Sequence, residues 1–245
     1  NQDANANLAK KLAYLLTKRP DLALVLERIR NKRERIGIDR HLIDAFPGQA
    51  FRGQVHPVEH HVAHLSSAFH VSPFDDAVVV SIDGFGDFAS AAWGIGRGAK
   101  IEVEDRVYFP HSLGIFYQSI TQFIGFPNYG DEYKVMGLAS YGSPRFEDVL
   151  RSSFVELLPD GAVRLNQDFL DTTDGVGIVE AKFAEILEGP SRTKGGDVTP
   201  READIAASVQ AILEEAVIRS ARYAKALTSE RVLVAAGGVF LNAVA

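Results

Sequence analysis

The chain has 245 residues, 46% of them hydrophobic and 24% charged, the composition of a folded protein long enough to bury a large core. A formal charge of −6, from 26 Lys and Arg against 32 Asp and Glu, leaves no electrostatic footprint for extended phosphate binding and argues against nucleic acid as a main partner. Cysteine is absent, which excludes disulfides, thiolate metal sites and thiol nucleophiles, so any metal must use nitrogen and oxygen ligands.

The amino terminus, NQDANANLAKKLAYLLTKRPDL, reads as an amphipathic helix broken before Pro20. It has neither the apolar stretch of a signal peptide nor a span of the roughly 18 apolar residues that a membrane helix needs, so the expected setting is the cytoplasm, with no membrane partner. Leu12, Leu15 and Leu16 before Pro20, and Leu22, Val25, Leu26 and Ile29 after it, predict two short helices. Their charged run, RIRNKRERIG, reads as a solvated face or a docking surface. A loop around Phe46, Pro47 and Gly48 leads to a short extended segment from Gln54 to Val58.

The stretch VEHHVAHLSSAF, Val58 to Phe69, then gathers His60, His61 and His64. In a helix His60 and His64 stand one turn apart on one face, about 6 Å along the axis, and His61 points elsewhere. That spacing suits two imidazoles converging on one metal ion, although histidines so spaced are also found simply packed or at the surface. The residues between them are His61, Val62 and Ala63, so the glutamate base of an HExxH motif is missing.

Ala77 to Ile82, AVVVSI, reads as a buried strand, DGFGD as a tight turn, Phe88 to Arg97 as a second strand, RGAK as a second turn and Ile101 to Phe109 as a third strand. Three strands joined by tight turns predict an antiparallel meander. His111 to Gly125 reads as a helix, followed by a glycine-rich connection and Tyr133 to Ala139. Thr199, Pro200 and Glu202 form a capping box that opens a long helix to about Leu227. Val232 to Ala236 is a further buried strand, closing on Gly237 and Gly238 at the start of a helix, while Gly189 to Val198 reads as a mobile surface loop.

Asp83 ends a strand that is apolar inside except for Ser81, and a carboxylate there needs a cation or hydrogen-bond donors. With His60 and His64 it makes a set of two imidazoles and one carboxylate with coordination positions left open, suited to Fe(II), Zn or Mn. The glycines of DGFGD and the Gly237–Gly238 pair are places where backbone amides could face phosphate, or plain tight turns. Lys134, in GDEYKVMGLASYG, is either a solvated lysine or a cation for a phosphate or carbamoyl oxygen.

HHVAHLSSAF, SIDGFGD, PHSLGIFYQSIT, GDEYKVMGLASYG and AAGGVFLN, in this order and with these separations, resemble the O-carbamoyltransferases of the nodulation and antibiotic-tailoring type. The resemblance runs from Val58 to Ala245. It implies an α/β fold of actin-like ATPase (ribonuclease H-like) architecture with a mixed sheet, related to the threonylcarbamoyl-transfer proteins and the hydrogenase-maturation carbamoyltransferase. It implies that His60, His64 and Asp83 hold a divalent transition metal against the phosphates of ATP. Gly84, Gly86, Asp87, Gly237, Gly238 and Asn242, with Lys134, would line the nucleotide and carbamoyl pocket. The implied reaction moves a carbamoyl group from carbamoyl phosphate, through carbamoyl-adenylate, onto a small-molecule alcohol. His111 and the aspartates of LDTTDG, Asp171 and Asp174, are candidate bases for that alcohol by residue type and position.

Two other readings remain: a relative that transfers a carbamoyl or threonylcarbamoyl group to a macromolecule, and a non-catalytic module that binds nucleotide or metal. Such proteins begin on an apolar strand and phosphate-binding hairpin and continue beyond GGVxLN, whereas this chain opens on a polar helix and stops at Ala245. The expectation is therefore an internal fragment, incomplete at both ends. Residues 1–74 would hold the helical segment and the end of one actin-like half, and residues 75–245 most of the other. Such a piece is expected to fold, to self-associate through uncovered apolar surface, and not to turn over.

Overall fold

A computed structural model of the chain describes residues 3, 5–18, 38–48, 52–171, 177–226, 228 and 230–245. The β-branched run Ala77 to Ile82 becomes the interior of the central strand β1, Asp76–Gly86, with every one of those residues buried. β1 pairs antiparallel with β2, Ala89–Arg97, which pairs antiparallel with β3, Lys100–Tyr108. The meander is as predicted. On its other side β1 takes a parallel partner, Leu233–Ala236, completing a mixed four-stranded sheet in which that last strand, β8 in chain order, is an edge. The chain is thus an α/β protein.

The period of two along β1 sorts its side chains onto two faces. Val78, Val80 and Ile82 join the large core, and Ala77 and Val79 join a smaller one with Leu65, Phe69 and Ala92. The small core is closed by the histidine helix, His60–Phe69, whose buried residues His61, Leu65 and Phe69 recur every fourth position. The large core is covered by Leu113–Phe123 and by the long helix Pro200–Ala226. In chain order the α-helices of the described residues are α1 Leu8–Lys18, α2 Ile38–Ala45, α3 His60–Phe69, α4 Leu113–Phe123, α5 Glu132–Ala139, α6 Glu147–Ser153, α7 Glu180–Ile186 and α8 Pro200–Ala226. Among the described residues no helix is long and apolar enough to cross a membrane. The expected second helix after Pro20 and its charged run lie outside the described residues.

Four expectations are corrected. DGFGD is not itself the turn: β1 continues through Gly86, which pairs with Ala89, and the turn is Asp87–Phe88, with φ of 50° and 74°. Both central residues have the positive φ that two-residue hairpins need. Phe88 is an unusual occupant of that conformation, and Tyr14 and Phe109 pack on its ring with centroids 5.6 Å away in each case. Second, Gly237–Gly238 opens a single 3₁₀ turn, Gly238–Leu241, rather than an α-helix. Third, the helix predicted from His111 starts at Leu113, because Ser112 caps it by accepting the Ile115 N–H at 3.1 Å.

The fourth concerns residues 189–198, which are anchored rather than loose. Arg192 donates from Nε to Ile124 O at 2.7 Å and from a terminal nitrogen to Gly196 O at 2.6 Å. Arg201 donates to the carbonyls of Leu187, Gly189 and Pro190. The Glu202 half of the predicted capping box forms, with Glu202 accepting from both Thr199 N–H, at 3.0 Å, and Thr199 Oγ1, at 2.6 Å, while Thr199 Oγ1 accepts the Arg201 N–H at 3.3 Å rather than that of Glu202.

Between α6 and α7 the chain forms two short ribbons, β4 Val155–Leu157 with β5 Val163–Leu165, and β6 Leu170–Asp171 with β7 Gly177–Ile178. Phe154, Phe169 and Phe183 tie them to the main body, each pair with centroids 4.9 to 5.3 Å apart.

Candidate functional site

β1 and β8 run parallel, and their carboxyl ends meet where α3 begins. Ser81 pairs with Ala236, so the next residues, Ile82 and Asp83, face Gly237 and Gly238. Ser81 and Asp83 continue the face of β1 that carries Ala77 and Val79, and α3 packs on that face. The helix runs opposite to the strand: Phe69 covers the start of β1, where a Cβ on Gly96, the partner of Ala77, would sit 2.7 Å from its ring. His61 meets Ser81, Nδ1 to Oγ 2.8 Å, and His60 and His64 reach Asp83. Alternation along the strand and helical spacing along α3 thus deliver both imidazoles to one carboxylate.

Asp83 Oδ2 lies 2.8 Å from His60 Nε2 and 3.0 Å from His64 Nε2, and those two nitrogens are 3.1 Å apart. The three side chains are about a quarter exposed, so the cluster opens to solvent on one side. Metal–ligand lengths of about 2.0–2.2 Å put neighbouring ligand atoms roughly 2.8–3.5 Å apart, and the three separations fall in that range. Two imidazole nitrogens facing each other beside a carboxylate oxygen also need a cation or a shared proton between their lone pairs. The residues present therefore fit a metal ion.

Burial by itself would raise the Asp83 carboxyl, but hydrogen bonds with His60, Gly84 N–H and His64 outweigh it and hold the group well below the usual carboxylate range. The hydrogen bond to Asp83 raises His60, against the opposing effect of its own burial. Burial pushes His61 down to about 4, so it is a neutral, packed histidine and not a fourth member of the set.

Glycines shape the floor. A Cβ on Gly86 would overlap the His60 ring, one on Gly237, at φ 103°, would overlap Ile82 O, and one on Gly238 would lie 2.7 Å from Asp83 Oδ1. Gly238 N–H points at that oxygen from 3.3 Å. Above Gly84 the space is open. The first turn of α4 abuts the same backbone: Ser112 Oγ donates to Gly84 O at 2.7 Å, and a Cβ on Gly114 would come within 2.8 Å of Asp83 O. The dipole of α4 therefore starts beside Asp83 and Gly84.

The remaining predicted residues make other contacts. Asp87 accepts through Oδ2 from His60 N–H at 2.9 Å and from Asp3 N–H at 2.8 Å. Asn242 makes a two-way amide pair with Gln210, at 2.8 and 3.1 Å, and Tyr117 OH donates to the same Gln210 at 3.0 Å. Lys134 is paired with the buried Asp131, Nζ to Oδ1 2.6 Å, and its ammonium lies over the Phe126 and Tyr133 rings. His111 receives Leu165 N–H on Nδ1 at 3.2 Å. Asp171 is exposed on the β6–β7 ribbon opposite Gly177, and Asp174 lies outside the described residues. Sequence reasoning missed the role of Ser112 and the His61–Ser81 bond. The second was within reach, because Ser81 shares the strand face of Asp83.

A family model described as the carbamoyltransferase N-terminus matches residues 7–245. The chain belongs to that family. It is 36% identical over 208 residues to the nodulation protein NolNO of Sinorhizobium fredii, covering 82% of this chain and 28% of the relative. It is 36% identical over 187 residues to the nodulation protein NolO of Bradyrhizobium diazoefficiens, covering 76% and 32%. An uncharacterized protein of Synechocystis sp. is 39% identical over 187 residues, covering 76% and 30%. The chain thus spans about a third or less of the length of these relatives, and the resemblance to nodulation-type carbamoyltransferases seen in its motifs is shown by the family and by these likenesses.

Proposed function

We propose that this chain is the metal- and nucleotide-binding part of an ATP-dependent O-carbamoyltransferase with an actin-like ATPase core. In the reaction water releases phosphate from carbamoyl phosphate to leave carbamate, carbamate displaces pyrophosphate from ATP to give carbamoyl-adenylate, and the hydroxyl of a small molecule takes the carbamoyl group with AMP leaving. The observation that carries this reading is the meeting of His60, His64 and Asp83 with Gly238 at the carboxyl ends of two parallel strands, in a carbamoyltransferase-family chain. Ligands of open α/β sheets bind outside the carboxyl ends of parallel strands.

In this reading His60, His64 and Asp83 hold Fe, Zn or Mn, which when bound supplies a positive charge for nucleotide phosphates. The open space above Gly84 leaves room for the same phosphates, and the amino end of α4 beside it adds a favourable dipole. Asp83, kept ionised by its hydrogen bonds, needs no proton removed before it binds a cation. The formal charge of −6 favours a small acceptor over tRNA.

Carbamoyl-phosphate-dependent exchange of pyrophosphate into ATP tests the reading in a protein carrying this chain together with the remaining length of its relatives. Exchange is expected, and its loss in Asp83→Ala ties it to this site. No exchange under any metal supply would favour a non-catalytic binding module.

A further inference from the structure

Asp87 sits where a nucleotide-binding residue was expected, yet its carboxylate faces protein N–H groups. One oxygen, Oδ2, accepts from the backbone of His60 at 2.9 Å and from the backbone of Asp3 at 2.8 Å. Its own carbonyl accepts from Asn7 Nδ2 at 2.9 Å. We infer that Asp87 is a positioning residue for the His60–His64–Asp83 centre, and that the amino-terminal segment is latched to the centre through the same carboxylate. The inference rests on the metal reading of that cluster given above.

His60 is the first residue of α3, where a helix has unsatisfied N–H groups and frays most readily. Two carboxylates close that end. Glu59 accepts the Val62 N–H at 2.8 Å, three residues on, as a cap does. Asp87 closes the N–H of His60 itself from the turn of the β1–β2 hairpin. The ring of His60 is held from below by Gly86 and its backbone by Asp87, so the hairpin fixes both ends of the ligand. The other donor to Asp87 Oδ2 is the backbone of Asp3, and α1 follows that residue onto the hairpin, with Tyr14 packed edge-on against Phe88 and Phe109 at 5.6 and 5.1 Å. Hydrogen bonds that orient metal ligands from outside the coordination set change affinity by about 10-fold to 100-fold.

The test uses Asp87→Gly and Asp87→Asn. Asp87 has φ of 50°, a conformation that glycine adopts freely and asparagine tolerates, so both variants keep the turn while only glycine removes the acceptor. Zn(II) affinity is measured by competition with a chromophoric chelator, beside thermal melting of the metal-free proteins. Expected are at least about a tenfold loss for Asp87→Gly and retention within about threefold for Asp87→Asn. Wild-type affinity in a folded glycine variant, whatever its melting temperature, would overturn the inference and leave the metal reading intact. A folded asparagine variant that loses at least tenfold would also overturn it, because an acceptor would then not suffice. Absence of Zn(II) binding by the wild-type chain would overturn the metal reading and this inference with it.

Discussion

Gly86 lies directly under the imidazole of His60, so close that a Cβ at position 86 would overlap the ring atoms Cγ and Cδ2. The glycine that reads in sequence as a turn signal is therefore a strand residue whose missing side chain makes room for a site residue. Gly86→Ala should displace the His60 ring from Asp83. The expected result is metal binding weakened by about tenfold or more, with an overpacking cost of about 1–3 kcal/mol in denaturant unfolding. Unchanged affinity, measured by the same chelator competition, would show that the ring position at Gly86 does not matter to the site.

The capping box of α8 sets part of the acid sensitivity. Burial raises the Glu202 carboxyl, but its bonds from Thr199 outweigh burial and leave it below the ordinary glutamate value. A group depressed in the folded state stabilises fully above its unfolded value, about 4.3, and loses that contribution as pH falls through the folded value. Wild type should therefore exceed Glu202→Gln in stability at pH 7, and the gap should close as pH drops below about 4.3. Denaturant melts from pH 7 to pH 3 check this, and a gap constant across that range would contradict it.

Arg192 predicts a local effect. Removing its guanidinium in Arg192→Ala takes away the donors to Ile124 O and Gly196 O while leaving the Phe154–Phe169–Phe183 cluster untouched. Amide exchange in residues 189–199 should accelerate while exchange in β1 stays unchanged. Equal protection of both segments in the variant would mean that the loop is held by other contacts.

Much of this architecture was legible in the chain. AVVVSI, the RGAK turn and the alternation of Ile101 to Phe109 encode the meander locally, and Thr199 with Glu202 encodes the start of α8. Helical spacing placed His60 and His64 on one face and the strand-end position singled out Asp83, while the meeting of the three was what the resemblance implied. What was not legible depends on partners far away in sequence. Gly86 was misread because its neighbour is a ring 26 positions earlier, and Asp87 because its hydrogen-bond donors are the backbones of Asp3 and His60. The loop of residues 189–198 looked loose because the Arg192 side chain, which reaches the Ile124 carbonyl just past α4, leaves no local signature. Residue type and position suggested His111 as a base, but neither could show that its Nδ1 receives the Leu165 N–H.

The central claim is that His60, His64 and Asp83 share one metal ion, and equilibrium dialysis of the chain against Fe(II), Zn(II) and Mn(II), followed by elemental analysis, tests it most directly. Wild type is expected to take up about one equivalent of a first-row transition metal. The double variant His60→Ala/His64→Ala, shown to be folded by its circular dichroism, is expected to take up none. Equal metal content in the two proteins, or no saturable uptake by wild type, would contradict the claim.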